Sequence, residues 1–120
     1  MNERHDQGLE FRTEQFALQI IELFSSLPSS AVAQVLGRQM LRSGTSVGAQ
    51  YCEAMRAKST ADFVSKIEGS LQEIEETRYG LRLLTGSRTL SENQVTFIAN
   101  EAGELTAMLM ASARTAKRRK

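Results

Sequence analysis

The chain has 120 residues, of which 41% are hydrophobic and 24% charged, and 15 Lys and Arg against 14 Asp and Glu leave a formal net charge of +1. One domain fits that length, and the balance excludes a disordered, collagen-like or disulfide-scaffolded protein and one built wholly as a polycation. The single cysteine, Cys52, cannot form an internal bridge, which suits a reducing cytoplasm. No apolar run approaches the roughly 18–20 residues that span a bilayer, and the opening MNERHDQG lacks the apolar stretch of a secretory signal. A cytoplasmic protein without membrane partners is expected.

Residues 1–8 are polar and read as a flexible tail. A first helix follows over about 9–27, with Phe16, Ile20, Leu23 and Leu27 at helical spacing, and Pro28-Ser29-Ser30 ends it. A second, over about 30–57, carries the line Val32, Leu36, Met40, Ser43, Val47, Tyr51 and Ala54. Ser59 with Asp62 resembles a capping box and opens a third helix over about 60–85, lined by Phe63, Ile67, Leu71, Ile74, Arg78 and Leu81. Gly86 suits a helix C-cap. Ser91 with Gln94 is a second capping box, and the fourth helix, over about 91–116, carries Val95, Ile98, Ala102, Leu105, Leu109 and Ser112. Residues 117–120 form a basic tail. Spacings of three and four suit packing near 20°, and the short connections make each helix antiparallel to the one before. The predicted fold is all-α, an up-down-up-down four-helix bundle over 9–116.

Two helices carry more apolar surface than one bundle uses. Phe11, Leu18 and Ile21 lie opposite the main stripe of the first helix and predict a subunit interface. Gly37, Leu41, Gly44, Gly48 and Cys52 form a small-residue side on the second helix. That side fits either a neighbouring helix of the same bundle or a second copy. A homo-oligomer is the expected assembly, a dimer or a closed ring.

Few side chains suggest catalysis. The only histidine, His5, lies in the polar tail, so di-iron and zinc sites lack ligands. Cys52 has no base in the folded part and reads as a small buried residue. No phosphate-cradling glycine loop occurs, and no cofactor is expected. Glu73 and Glu76 on the third helix and Glu101 and Glu104 on the fourth sit level about the intervening turn. Paired acids of this kind hold Mg²⁺ in all-α nucleoside triphosphate pyrophosphohydrolases, although those carry an aspartate where Glu104 stands. A solvated acidic face is the simpler reading, because Glu73 and Glu76 point away from the Ile67/Ile74 line.

The basic residues are the stronger candidates. Arg38, Arg42 and Arg56 share a side of the second helix, and Arg114, Lys117, Arg118, Arg119 and Lys120 follow the last acid, Glu104. Such cations attract RNA or DNA phosphates without sequence preference, although no aromatic interleaves them for base stacking. Arg78 interrupts an apolar stripe, and is expected either to reach the bundle edge or to pair with an acid such as Glu75.

The run Leu41-Arg42-Ser43-Gly44-Thr45-Ser46-Val47-Gly48-Ala49-Gln50-Tyr51, with Glu53-Ala54, resembles the central motif of the 23S ribosomal RNA intervening-sequence protein family. The likeness continues through Ser59, Ala61-Asp62-Phe63, Glu73, Glu76-Thr77, Tyr79, Leu81 and Leu83-Leu84. It implies the same bundle, a ring-shaped homopentamer, and neither enzymatic activity nor cofactor. One related branch binds a reverse transcriptase and nucleic acid, so a ribonucleoprotein partner is implied as well. Gln50, Gly80, Arg78 and Arg82 depart from the family pattern, and the two arginines stand where acids are frequent. The resulting expectation is a homo-oligomer offering a basic surface to RNA, DNA or a ribonucleoprotein. A purely structural protein-partner module and the Mg²⁺-dependent enzyme are the alternatives.

Overall fold

The computed structural model describes residues 8–119, so His5, the tail through residue 7 and Lys120 lie outside the described residues. Four helices account for nearly all of it: α1 Leu9–Ser25, α2 Ala31–Met55, α3 Thr60–Gly86 and α4 Glu92–Arg118. Each packs on the next, and α1 against α4 closes the bundle, which measures 48 × 29 × 18 Å. This is the predicted up-down-up-down arrangement, and no strand occurs among the described residues.

Local chemistry sets the helix starts. The Ser30 hydroxyl accepts from the Ala33 N–H at 3.2 Å, and the Ser59 hydroxyl accepts from the Asp62 N–H at 3.0 Å. The shorter Asp62 side chain accepts from the Lys58 N–H rather than closing back on Ser59, so only half of that box forms. The Ser91/Gln94 box is complete.

The end of α3 departs from expectation. The helix runs through Gly86, and no glycine has a positive φ; Arg88 takes the left-handed turn instead, at φ 64°. The chain turns there because Leu90, 3% exposed, must reach the core before Ser91 starts α4, and the N–H groups of Thr89 and Leu90 both bond the Leu84 carbonyl.

The core is a column of Phe16, Ile20, Met40, Val47, Ile67, Ile74, Leu84, Leu105 and Leu109, all at most 1% exposed. In α4 the buried line includes every expected residue but Ser112, beside which Ala113 is buried instead. In α3 the buried line is Ile67, Ser70, Ile74, Thr77, Leu81 and Leu84. Leu71 and Arg78 stand one residue off it, half-buried. Ser70 and Thr77 are tolerated there because they are satisfied. The Ser43 and Thr77 hydroxyls share a 2.7 Å bond, Thr77 also donates to the Glu73 carbonyl, and Ser70 donates to the Val47 carbonyl at 2.7 Å.

Val32 is 52% exposed and leaves the α2 stripe, where Ala33 is buried instead, and Phe24 of α1 and Leu27 of the following turn pack against Gly37. A Cβ at Gly37, Gly44 or Gly48 would meet Leu27, Ile20 or Thr13 at 2.5–2.9 Å. The small-residue side of α2 is thus taken up by α1 within the bundle. Cys52 sits at the outer edge of that seam and is exposed, against the expectation of burial.

Candidate nucleic-acid interface

The antiparallel order places the C-termini of α2 and α4 at one end, together with the first turn of α3. Cations at a helix C-terminus also face its negative dipole end. Lys58, Ser59 and Thr60 line a cleft there with Ala116 and Arg119, residues nearly sixty positions away in sequence. Arg56 caps α2 at this end, and Arg114, Lys117, Arg118 and Arg119 are exposed around it. Lys117 and Arg118 belong to α4, which extends two residues beyond the predicted boundary. Lys117 pairs with Glu68 at 3.3 Å and Lys66 with Glu53 at 3.1 Å, whereas Arg56, Lys58, Arg114, Arg118 and Arg119 make no ion pair among the described residues.

The other two predicted cations do not join them. Arg38 is exposed but lies roughly 27 Å from Arg56 along α2, at 1.5 Å per residue. Arg42 is committed elsewhere: its Nη2 donates to Glu76 at 2.9 Å and to Glu73 at 3.1 Å. Those bonds, Glu76 first, raise the Arg42 pKa above its ordinary value. Four-membered carboxylate convergence therefore does not occur. Glu73 and Glu76 face Arg42 of α2, while Glu101 and Glu104 clamp Arg12 of α1, whose pKa they raise through hydrogen bonds, Glu101 first. Among the described residues no group of three or more His, Cys, Asp or Glu side chains is placed to hold a metal ion. Arg12 is not singled out by sequence patterning; its signal is an arginine one helical turn before Phe16, facing a Glu-x-x-Glu pair.

Arg78 is half-buried at the α3/α4 seam. It donates to the Thr106 hydroxyl at 3.4 Å and stands 3.7 Å from Glu75, the acid expected beside it. With Arg82, whose guanidinium lies 5.5 Å from the Tyr79 ring centre, it lines a cleft of about 370 Å³.

Phe11, Leu18 and Ile21 are 42%, 51% and 43% exposed on the face of α1 turned from the core. Phe97 of α4, 66% exposed, lines a groove with Gln19, Glu22 and Leu23 of α1. None of the described helices is long and apolar enough to cross a membrane.

The sequence profile described as 23S rRNA-intervening sequence protein matches residues 11–111. None of the curated proteins matches. A crystal structure of a protein of unknown function from the S23 ribosomal protein family of Bacteroides thetaiotaomicron superposes with a TM-score of 0.83. It is 34% identical and the match covers 88% of this chain and 97% of that one. With the bundle, the Leu41–Tyr51 motif and the profile all in agreement, the chain belongs to the 23S rRNA-intervening sequence protein family.

Proposed function

We propose that this protein is a non-enzymatic, cytoplasmic homo-oligomer, a ring-shaped pentamer, that presents its basic end to RNA, DNA or a ribonucleoprotein such as a reverse transcriptase complex. One observation carries the nucleic-acid half: Arg56, Lys58, Arg114, Arg118 and Arg119 gather at one end without carboxylate partners among the described residues, whereas Arg12 and Arg42 are each clamped by two glutamates. Phosphates are the partner that a cluster of unpaired guanidinium and ammonium groups favours. The assembly half rests on Phe11, Leu18 and Ile21, exposed apolar residues on the outer face of α1 that a small bundle has no second core to cover. The non-enzymatic part is supported by the two Glu-x-x-Glu pairs, each engaged by an arginine.

Retention of labelled RNA as a function of salt tests the first half. Replacing Arg114, Arg118 and Arg119 by Gln should weaken binding and lower the slope of log K against log salt by about 0.7–0.9 for each phosphate no longer neutralised. Light scattering tests the second: a mass of several chains is expected, falling for Leu18→Lys. Absence of RNA retention at low salt would favour a purely structural or protein-partner module. Pyrophosphate release from a nucleoside triphosphate with Mg²⁺, abolished by Glu73→Gln, would instead establish the enzyme.

A further inference from the structure

The basic end contains an aromatic that the sequence does not place near its cations. Leu9 opens α1 level with Met108 and Ser112, so the last turns of α4 run on past the described part of α1. Two adjoining clefts result, of about 470 and about 430 Å³, and both are lined by Phe63, Ala116 and Arg119. Leu9 and Met108 wall the first; Met55 and Lys58 wall the second. Each is within the roughly 300–1,000 Å³ of small-molecule sites. The first lining is mainly apolar, whereas the second sets Phe63 and Met55 among Ser59, Thr60 and two cations, Lys58 and Arg119.

That combination is poorly suited to phosphate alone, which gains nothing from Phe63, Met55 or Leu9. It is equally poorly suited to a duplex, whose bases stay stacked on one another. An unpaired nucleotide has both halves: a flat ring that stacks on an aromatic face, and flanking phosphates for cations. We propose that this notch takes a nucleobase of single-stranded nucleic acid against Phe63, with the adjacent phosphates held by Lys58 and Arg119. The proposal rests on the nucleic-acid reading above and narrows it to unpaired strands.

The full chain contains no tryptophan, so Phe63→Trp supplies a single indole reporter. Its fluorescence should be quenched by a twelve-nucleotide oligouridine and little changed by the same strand paired with oligoadenosine. Phe63→Leu should weaken oligouridine binding about 5- to 150-fold, the range for one lost base stack, and leave duplex binding unchanged. Phe63→Tyr, which keeps the ring, should bind as the wild type does. Equal binding of single strand and duplex by the wild type overturns the proposal and spares the broader reading. The same holds if Phe63→Leu leaves oligouridine affinity intact, or if Phe63→Tyr loses affinity as Phe63→Leu does. An indole signal that ignores oligouridine but responds to removal of residues 1–7, or to dilution, assigns the notch to the chain's own N-terminus or to a second copy and also overturns it. Failure of both nucleic acids to bind at low salt removes the proposal and the broader reading together.

Discussion

Arg12 of α1 and Glu101 of α4 form a two-pronged bridge: Nη2 donates to one carboxylate oxygen at 2.8 Å and Nε to the other at 3.0 Å. Nη2 also reaches Glu104 at 2.7 Å, and Nη1 donates to the Met108 sulfur at 3.3 Å. The α1/α4 seam is the least extensive of the four in the bundle, so this bridge holds the closure. Arg12→Met leaves the Glu101 carboxylate, 17% exposed, without its cation. A loss of about 1–2 kcal/mol is expected by urea unfolding at fixed protein concentration. Glu104 is 66% exposed, and Glu104→Gln should stay within about 0.5 kcal/mol.

Gly44 and Gly86 should respond in opposite directions to alanine. A Cβ at Gly44 would stand 2.9 Å from both γ-carbons of Ile20, a branched side chain with essentially one rotamer in a helix. Overpacking costs of about 1–3 kcal/mol exceed the roughly 1 kcal/mol gained in helix propensity, so Gly44→Ala should lower stability. At Gly86 nothing lies within 4 Å and φ is not positive, so Gly86→Ala should raise stability by about 0.5–1 kcal/mol. Paired thermal melts would check both signs.

Arg88 offers a gain of another kind. Its φ of 64° puts a side chain in a region costing about 1 kcal/mol or more for residues with a Cβ. Arg88→Gly should therefore stabilise by about 0.5–1 kcal/mol, read as a higher urea midpoint at unchanged slope.

Tyr51 governs an alkaline effect. Burial, then the negative charge of Glu10, then Cys52, push its phenol above the ordinary value of 10.0. The unfolded chain releases that proton near pH 10 while the folded chain still holds it. Fewer protons bound to the unfolded state mean that stability falls as pH rises through this window. Tyr51→Phe should flatten the loss between about pH 9 and 11 in denaturation curves. The raised arginines, Arg12 and Arg42, stay charged throughout that window and contribute no such dependence.

The third helix shows where apolar patterning loses the thread. The expected line passes through Leu71 and Arg78, whereas the buried line takes Ser70 and Thr77 in their place. Thr77 donates to the Glu73 carbonyl within its own helix, but its Ser43 partner and the Val47 carbonyl that Ser70 bonds appear only when α2 and α3 are set in register. The cations divide in the same way. Arg42 and Arg56 look equivalent on one helix side, but only Arg42 faces a carboxylate pair. Phe63 stands more than fifty positions from Arg119 in the chain, and only helix packing brings the two to one notch.

Four helices, the Ser59 and Ser91 caps and the buried line of α4 from Val95 to Leu109 are legible in the order of residues alone, because caps and 3.6-residue periodicity act within a few positions of the chain. Three further features arise only once the helices pack. The glycines of α2 receive α1, Arg12 and Arg42 engage the acidic pairs, and Arg56 and Lys58 share an end with Arg119. Each of those depends on the rotation and register of one helix against another. Close packing of Ile20, Val47, Ile74 and Leu105 fixes both, and side chains that meet across a seam carry no mark of it in their local sequence.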